Sequence, residues 1–181
     1  LIFKEGDIPR WLYYVESGQV KIFKTSEDGR EFIVKVAHAG EFLGYLALLQ
    51  NDRYPESAAA LEDTVIKLIP KDDFLTLVSA NRDVSARFLK LLANHVAERE
   101  QQLLDLAYNS VRRRAASTLL YLYDQGNHDI NLLRDDLAAL TGTAKETLIR
   151  TLTDFKNEGL IDIRDGTISI LKLEKLRALP N

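Results

Sequence analysis

From Leu1 to Pro70, turn-forming residues recur about every ten positions, a spacing that suits short antiparallel strands and little else. Glu5-Gly6-Asp7, Glu16-Ser17-Gly18-Gln19, Glu27-Asp28-Gly29-Arg30 and His38-Ala39-Gly40 punctuate apolar runs over 11–15, 20–23 and 32–36. Glycine and aspartate supply the backbone conformations that tight turns need, while aromatic and β-branched residues fill the runs between them. The pattern predicts a sandwich or barrel. Phe42 to Gln50 lacks turn residues and predicts a short helix, ahead of strands over 57–61 and 64–69.

After Lys71 the period changes to that of helices, with Asn81-Arg82-Asp83 as a break between a short helix and a long one. In the long helix Leu89, Leu92, Val96, Leu103 and Leu106 step by three, four, seven and three, an a/d seam with Arg99 in the skipped slot. Such a helix can pack on its own β-domain or pair with a second copy. The seam is narrow and runs on beyond the β-region, which favours a parallel dimer. A further helix over 109–124 opens on Arg112-Arg113-Arg114 and closes at Gln125-Gly126-Asn127. The arginine run predicts either a solvated face or an approach to a DNA backbone.

Residues 135–161 predict a helix, a short turn and a second helix. Asp135 and Asp136 start the first where its dipole favours acids, Gly142 ends it, and Thr143 with Glu146 predicts a capping box for the second. On a helical wheel Ala144, Leu148, Thr151, Leu152 and Phe155 form a core face, and Lys145, Glu146, Ile149, Arg150 and Thr153 form the opposite one. That second face suits base edges: arginine or lysine to guanine, glutamate to cytosine, isoleucine to the thymine methyl. Then 160–170 alternates around Asp165-Gly166, predicting a hairpin and so a winged helix-turn-helix, with Arg164 near the tip as a phosphate contact.

Composition narrows the functional classes. Without cysteine there are no disulfides, thiolate zinc sites or cysteine-held iron–sulfur clusters within these residues. Without methionine, and opening at Leu1 inside what reads as a hairpin, the chain is expected to lack its natural N-terminus. The net charge of −3 divides unevenly: residues 1–108 carry 13 basic against 17 acidic side chains, and 109–181 carry 11 against 10. The second part can therefore present a locally basic face. No apolar run reaches the roughly 20 residues needed to span a bilayer, so a cytoplasmic protein without membrane contact is expected.

The order of these pieces resembles the cyclic-AMP receptor protein and fumarate-nitrate regulator superfamily of bacterial transcription regulators. Ile2-Phe3-Lys4-Glu5-Gly6-Asp7, the stretch 13–20 and Gly40-Glu41-Phe42-Leu43-Gly44 are similar to its cyclic-nucleotide-binding-like β-roll, and Lys145-Glu146-Thr147 with Arg150 resembles its Arg-Glu-Thr-x-x-Arg recognition helix. The resemblance implies an α+β protein: a sensor roll (a double-stranded β-helix, or jelly roll) over 1–80, a long dimerisation helix over 81–108, and a winged helix-turn-helix over 109–181. It further implies that Lys145, Glu146 and Arg150 read bases and that Thr143 and Thr147 hold phosphates. A hinge near 108–111, and two half-sites one helical turn apart on a near-palindromic operator, follow from the same likeness. Double-stranded DNA, a second copy of the chain and RNA polymerase are the implied partners.

The likeness breaks at the ligand. Where cyclic-nucleotide binders of this family carry a ribose-holding glutamate and a phosphate-holding arginine, this chain has Tyr45, after Gly44, and Glu56, before Ser57-Ala58. A carboxylate there opposes a phosphate and argues against cyclic AMP. Arg53, three residues earlier, is the alternative phosphate contact. A haem would need an axial ligand such as His38 or His95, but lone histidines at a turn or on a helix are more often packed or exposed. The roll is thus expected to bind another small molecule, or none, with Gly44, Tyr45, Arg53, Glu56 and Ser57 around its pocket. An enzyme is not expected, since no nucleophile–base pair, metal cluster or phosphate loop is present. The competing reading is a cyclic-nucleotide regulatory module with no DNA-binding role.

Overall fold

The computed structural model describes residues 1–126 and 128–180, so Asn127, placed above at the close of a helix, lies outside the described residues. The chain divides into two compact units, 1–99 and 100–181.

In the first unit, β1 (Trp11–Ser17) is flanked by β4 (Phe42–Leu43) and β6 (Val65–Pro70), while β2 (Val20–Thr25) lies between β3 (Glu31–Ala37) and β5 (Ser57–Ala60), all antiparallel. Alternation along the strands turns Tyr13 and Val15 of one sheet, and Val20, Ala37 and Ala58 of the other, into a shared core closed by Phe3 and Tyr54. The Phe3 and Tyr54 rings stack at 4.1 Å. The two sheets therefore form a roll around one apolar interior.

The segment 42–50, predicted as one helix, is two elements. Phe42–Leu43 is strand β4, and only Tyr45–Gln50 is helical (α1). Gly44 separates them in the left-handed region at φ 79°, and a Cβ there would lie 3.2 Å from the Tyr54 ring and 3.3 Å from that of Tyr13. Gly18, between β1 and β2, is still tighter: at φ 87°, a Cβ would lie 2.7 Å from the Asp63 carbonyl and 2.8 Å from Thr64 Cα. Gly18→Ala is expected to cost the roll about 1–3 kcal/mol, because neither the backbone conformation nor the opposing main chain can yield. A denaturant titration of the two proteins measures this, and an unchanged midpoint would refute it.

Helix α2 (Lys71–Ala80) precedes α3 (Arg82–Tyr108), whose Asn81 side chain accepts from the backbone N–H groups of Asp83 and Val84. Phe88 of α3 is buried against Leu12, Leu48 and Phe74, so the start of the long helix belongs to the roll. Between 88 and 99 the less exposed positions are Phe88, Leu92, His95 and Arg99, at helical spacings of four, three and four. Leu92 of the expected seam, and Arg99 in its skipped slot, therefore lie on this face. Leu89, Val96 and Leu103 remain 67%, 56% and 66% exposed, and Leu106 38%.

The second unit opens with α4 (Val111–Asp124), whose Ser110 hydroxyl accepts from the Arg113 N–H as an N-cap. α5 (Arg134–Thr141) and α6 (Lys145–Asn157) follow, then strands β8 (Ile161–Arg164) and β9 (Thr167–Ile170). Asp165 and Gly166 both adopt positive φ, as a two-residue hairpin turn of the primed type requires. Two elements escaped the sequence reading because each is too short to show a period: the two-residue strand β7 (Asp129–Ile130), which pairs with β9, and the five-residue helix α7 (Leu173–Arg177). Leu119, Leu122, Ile130, Leu137, Leu148, Leu152, Phe155, Ile168 and Leu176 join all of these around one core.

Candidate nucleic-acid interface and sensor pocket

The turn between α5 and α6 is built by main-chain hydrogen bonds. Gly142, at φ 69°, is the C-cap of α5, and the Thr143 N–H donates to the Ala138 carbonyl at 3.1 Å. That bond makes Thr143 part of the α5 terminus, so the N-cap of α6 falls on Ala144, with no side-chain capping bond. The capping box expected from Thr143 and Glu146 does not form. Ala144, expected in the core, is exposed for the same reason: it precedes the helix whose wheel was used to place it. The consequence is a helix start whose first-turn N–H groups carry no side-chain partner, the arrangement that suits an anion.

Along α6 the remaining pattern resolves into two faces. Leu148, Thr151, Leu152 and Phe155 are buried, while Lys145, Glu146, Ile149, Arg150 and Thr153 face outward. Ile149 is 42% exposed, beside Arg150, whose Nη2 reaches Thr147 Oγ1 at 3.4 Å. Lys145 Nζ donates to Asp135 Oδ2 at 2.7 Å across the turn. Both groups of that pair are exposed, so it is worth no more than about 1 kcal/mol and a better anion can displace it. Thr143 and Thr147 are half-buried beside this face.

The arginine run expected either on a solvated face or at a DNA backbone is instead committed to the unit's own scaffold. Arg112 pairs with Glu158 at 2.6 Å and lies 4.8 Å over the Phe155 ring. Arg113 donates to the carbonyls of Arg177 and Leu179. Arg114 donates to those of Asn109, Thr141 and Gly142, thereby satisfying the orphan carbonyls at the end of α5. One sequence signal, a basic run, thus turned out to hold the helix-turn-helix together.

In the wing, Arg164 Nε donates to Asp162 Oδ2 at 2.6 Å, and that bond, with the Ile163 N–H, holds the Asp162 carboxyl below its ordinary range. The Arg164 side chain remains almost wholly exposed. Arg134, which sequence reasoning passed over, donates to the Gly166 carbonyl at 2.7 Å and so ties the hairpin tip to the start of α5. Lys156 does the same at the other end through the Ile163 carbonyl at 2.9 Å.

The roll has its own site. A cavity of about 50 Å³ is bordered by Gly44, Tyr45, Glu56, Lys35, His95 and Arg99, among others. Arg53 and Ser57, both expected on this rim, are elsewhere. Arg53 Nη1 donates to the Gly6 carbonyl at 2.6 Å, fastening a turn, and the buried Ser57 hydroxyl accepts from the Glu5 N–H. Arg53 is therefore spent on the fold and is not placed to hold a phosphate in the cavity. The Glu56 carboxylate, expected to oppose a phosphate, is paired: Arg99 Nη2 donates to Glu56 Oε1 at 3.0 Å. Arg99 Nη1 also donates to the Val34 carbonyl at 2.9 Å, and its Nε to His95 Nε2 at 3.3 Å. Burial raises the Glu56 pKa against the opposing pull of Arg99, and burial together with Arg99 lowers that of His95. The Arg99 contact requires a neutral His95 with its proton on Nδ1. Among the described residues no group of three or more histidine, aspartate or glutamate side chains is placed to hold a metal ion, and no helix is long and apolar enough to cross a membrane.

Both units resemble known proteins. Residues 1–81 match the cyclic nucleotide-binding domain family and residues 113–179 the Crp-like helix-turn-helix domain family. The Cyclic AMP receptor protein of Thermus thermophilus is 34% identical over 170 residues, spanning 93% of this chain and 79% of that protein. The Anaerobic regulatory protein of Bacillus subtilis is 28% identical over 186 residues, spanning 97% and 78%. The solved structure of FixK2 from Bradyrhizobium japonicum covers 99% of this chain and 92% of its own with a TM-score of 0.89; at 21% identity this is a likeness of fold. A regulatory module without DNA binding is not favoured, since it leaves the match over 113–179 without a purpose. With a cyclic nucleotide-binding domain and a Crp-like helix-turn-helix joined in that order, the chain belongs to the CRP/FNR superfamily of DNA-binding transcription regulators.

Proposed function

We propose that two copies of this chain bind a near-palindromic operator, pairing along α3 and inserting α6 of each copy into the major groove. The observation that carries this reading is the outward face of α6, where Ile149 stands exposed among Lys145, Glu146 and Arg150. An isoleucine presented between charges of both signs on one helix face is well suited to base edges, where it meets a thymine methyl. Lys145, Glu146, Ile149 and Arg150 are the proposed base readers. Thr143, Thr147 and Arg164 are the proposed phosphate contacts, helped by the uncapped first turn of α6. The role is one of binding, without catalysis, in the cytoplasm, with RNA polymerase as a further partner where the protein activates. Residues 1–80 act as the control unit, 81–108 as the dimerisation helix and 109–181 as the DNA-binding domain.

Selection of bound duplexes from a random pool, at a fixed and stated salt concentration, tests the reading. Recovery of a two-fold symmetric site supports it; recovery of nothing, with and without cyclic AMP, refutes it. On the selected site Arg150→Ala is expected to cost about 1–3 kcal/mol and to relax preference at one base pair in each arm. A loss spread evenly over all sequences would make Arg150 a phosphate contact instead.

A further inference from the structure

We propose that Arg99 is the roll's built-in ligand: paired with Glu56 and Val34, it fixes α3 on the β-roll and brings the protein to its operator-binding state with no small molecule in the pocket. The inference rests on the dimeric DNA-binding role proposed above.

Three observations converge on it. The first is size. About 50 Å³ accommodates a few water molecules, whereas pockets for small ligands run to roughly 300–1,000 Å³. The larger groove, about 670 Å³, shares Lys35, Phe42 and Tyr45 with the cavity but is lined by neither Glu56 nor Arg99, so the ion pair faces only the small space.

The second is chemistry. Glu56 stands immediately before Ser57 at the start of β5 and borders the cavity, and the cation that faces it comes from α3. The side chains of the pair are only 25% and 18% exposed, so each charge needs the other, and the planar guanidinium satisfies carboxylate, main chain and imidazole together.

The third is position. Arg99 fills the d slot of the α3 seam, yet its guanidinium lies on Val34 of β3 and Glu56 beside β5 rather than on the seam. The roll thereby sets the rotation of this part of α3 about its own axis, and with it the direction in which Leu89 and Val96 face. A diffusible effector that links roll to helix performs this task by binding one arrangement better than another. Here a covalently attached side chain does so permanently. Arg99 is a positioning residue, acting on DNA binding through the dimer helix.

The test uses the full chain and a fluorescent operator from the selection above, with affinity measured by anisotropy and folding by circular dichroism. Wild-type protein is expected to bind equally with and without added cyclic AMP. Arg99→Ala is expected to weaken operator binding about 5–150-fold, the usual range of coupling between sites, while non-specific DNA affinity and the circular dichroism spectrum stay unchanged. Arg99→Lys, which keeps the charge but not the three-way fork, is expected to fall between. Arg99→Ala combined with Glu56→Ala should be no weaker than Arg99→Ala alone, since the pair acts as a unit and the double variant leaves no stranded carboxylate. Wild-type binding that appears only with cyclic AMP overturns the inference and leaves the DNA-binding role intact. Operator affinity unchanged in Arg99→Ala, or additive losses in the double variant, overturns it too, and absence of operator binding under every condition overturns both.

Discussion

Phe155→Ala is expected to unfold the DNA-binding unit while leaving the roll folded. Phe155 is fully buried where α4, α5, α6 and the wing sheet meet, and Arg112 lies on its ring while paired with Glu158. Truncating a phenylalanine in such a place costs about 3–5 kcal/mol through lost burial and the cavity left behind. A domain the size of residues 100–181 holds only about 4–12 kcal/mol in total. The substitution removes much of that reserve, and also releases Arg112 from one of its two anchors. Thermal unfolding followed by circular dichroism should show the variant with an early transition that wild type lacks, and a later one matching the roll. Operator binding should disappear at temperatures where wild type still binds. A single transition at the wild-type temperature would mean that α6 is held in place by something other than this core.

How much of the unit was legible beforehand depended on whether the signal was local. Asp165-Gly166 fixes its own hairpin through backbone conformation, and the wing formed around it. The buried and exposed faces of α6 followed from helical periodicity, which needs no knowledge of neighbours. The capping box failed because two helix termini compete for Thr143: closing α5 after Gly142 took its N–H, and α6 began one residue later than its own sequence suggested. The scaffold role of the arginine run at 112–114 is illegible in the sequence for a related reason. Its partners, Glu158, the Arg177 and Leu179 carbonyls and the end of α5, lie far along the chain and become neighbours only once the core has formed.

The pocket shows the same limit more sharply. Gly44, Tyr45 and Glu56 lie within one stretch of chain, and their spacing to the family's motifs put them at the cavity. Arg99 was noticed only as a blemish in a hydrophobic seam, because nothing near it in sequence says that an acid forty-odd residues upstream is waiting for it. Arg53 was the local candidate for a cation, and the fold used it to fasten the turn at Gly6. Long-range ion pairs are chosen by topology, and a sequence pattern records only that the charges exist.

Val96→Asp combined with Leu103→Asp is expected to give a well-folded monomer that has lost about 10²–10⁴-fold in operator affinity. Both positions are more than half exposed on the isolated chain, so substitution there disturbs no packing within it and should leave far-ultraviolet circular dichroism unchanged, with fold stability within about 0.5 kcal/mol. Leu89, Val96 and Leu103 recur every seven residues along some 21 Å of α3, long enough for several knobs-into-holes layers against an identical helix. Two carboxylates placed in that seam face two more from the partner, and like charges desolvated against each other keep the helices apart. Each monomer then meets one half-site at its intrinsic affinity, without the effective concentration that a tethered second reading head provides. Sedimentation velocity is expected to give a dimer for wild type and a monomer for the variant. Titration of a single half-site should give the same affinity for variant and wild type, and only the full site should tell them apart. A variant that still sediments as a dimer would move the interface away from this seam, and one that is monomeric yet binds the full site as well as wild type would mean that the two recognition helices never needed to be joined.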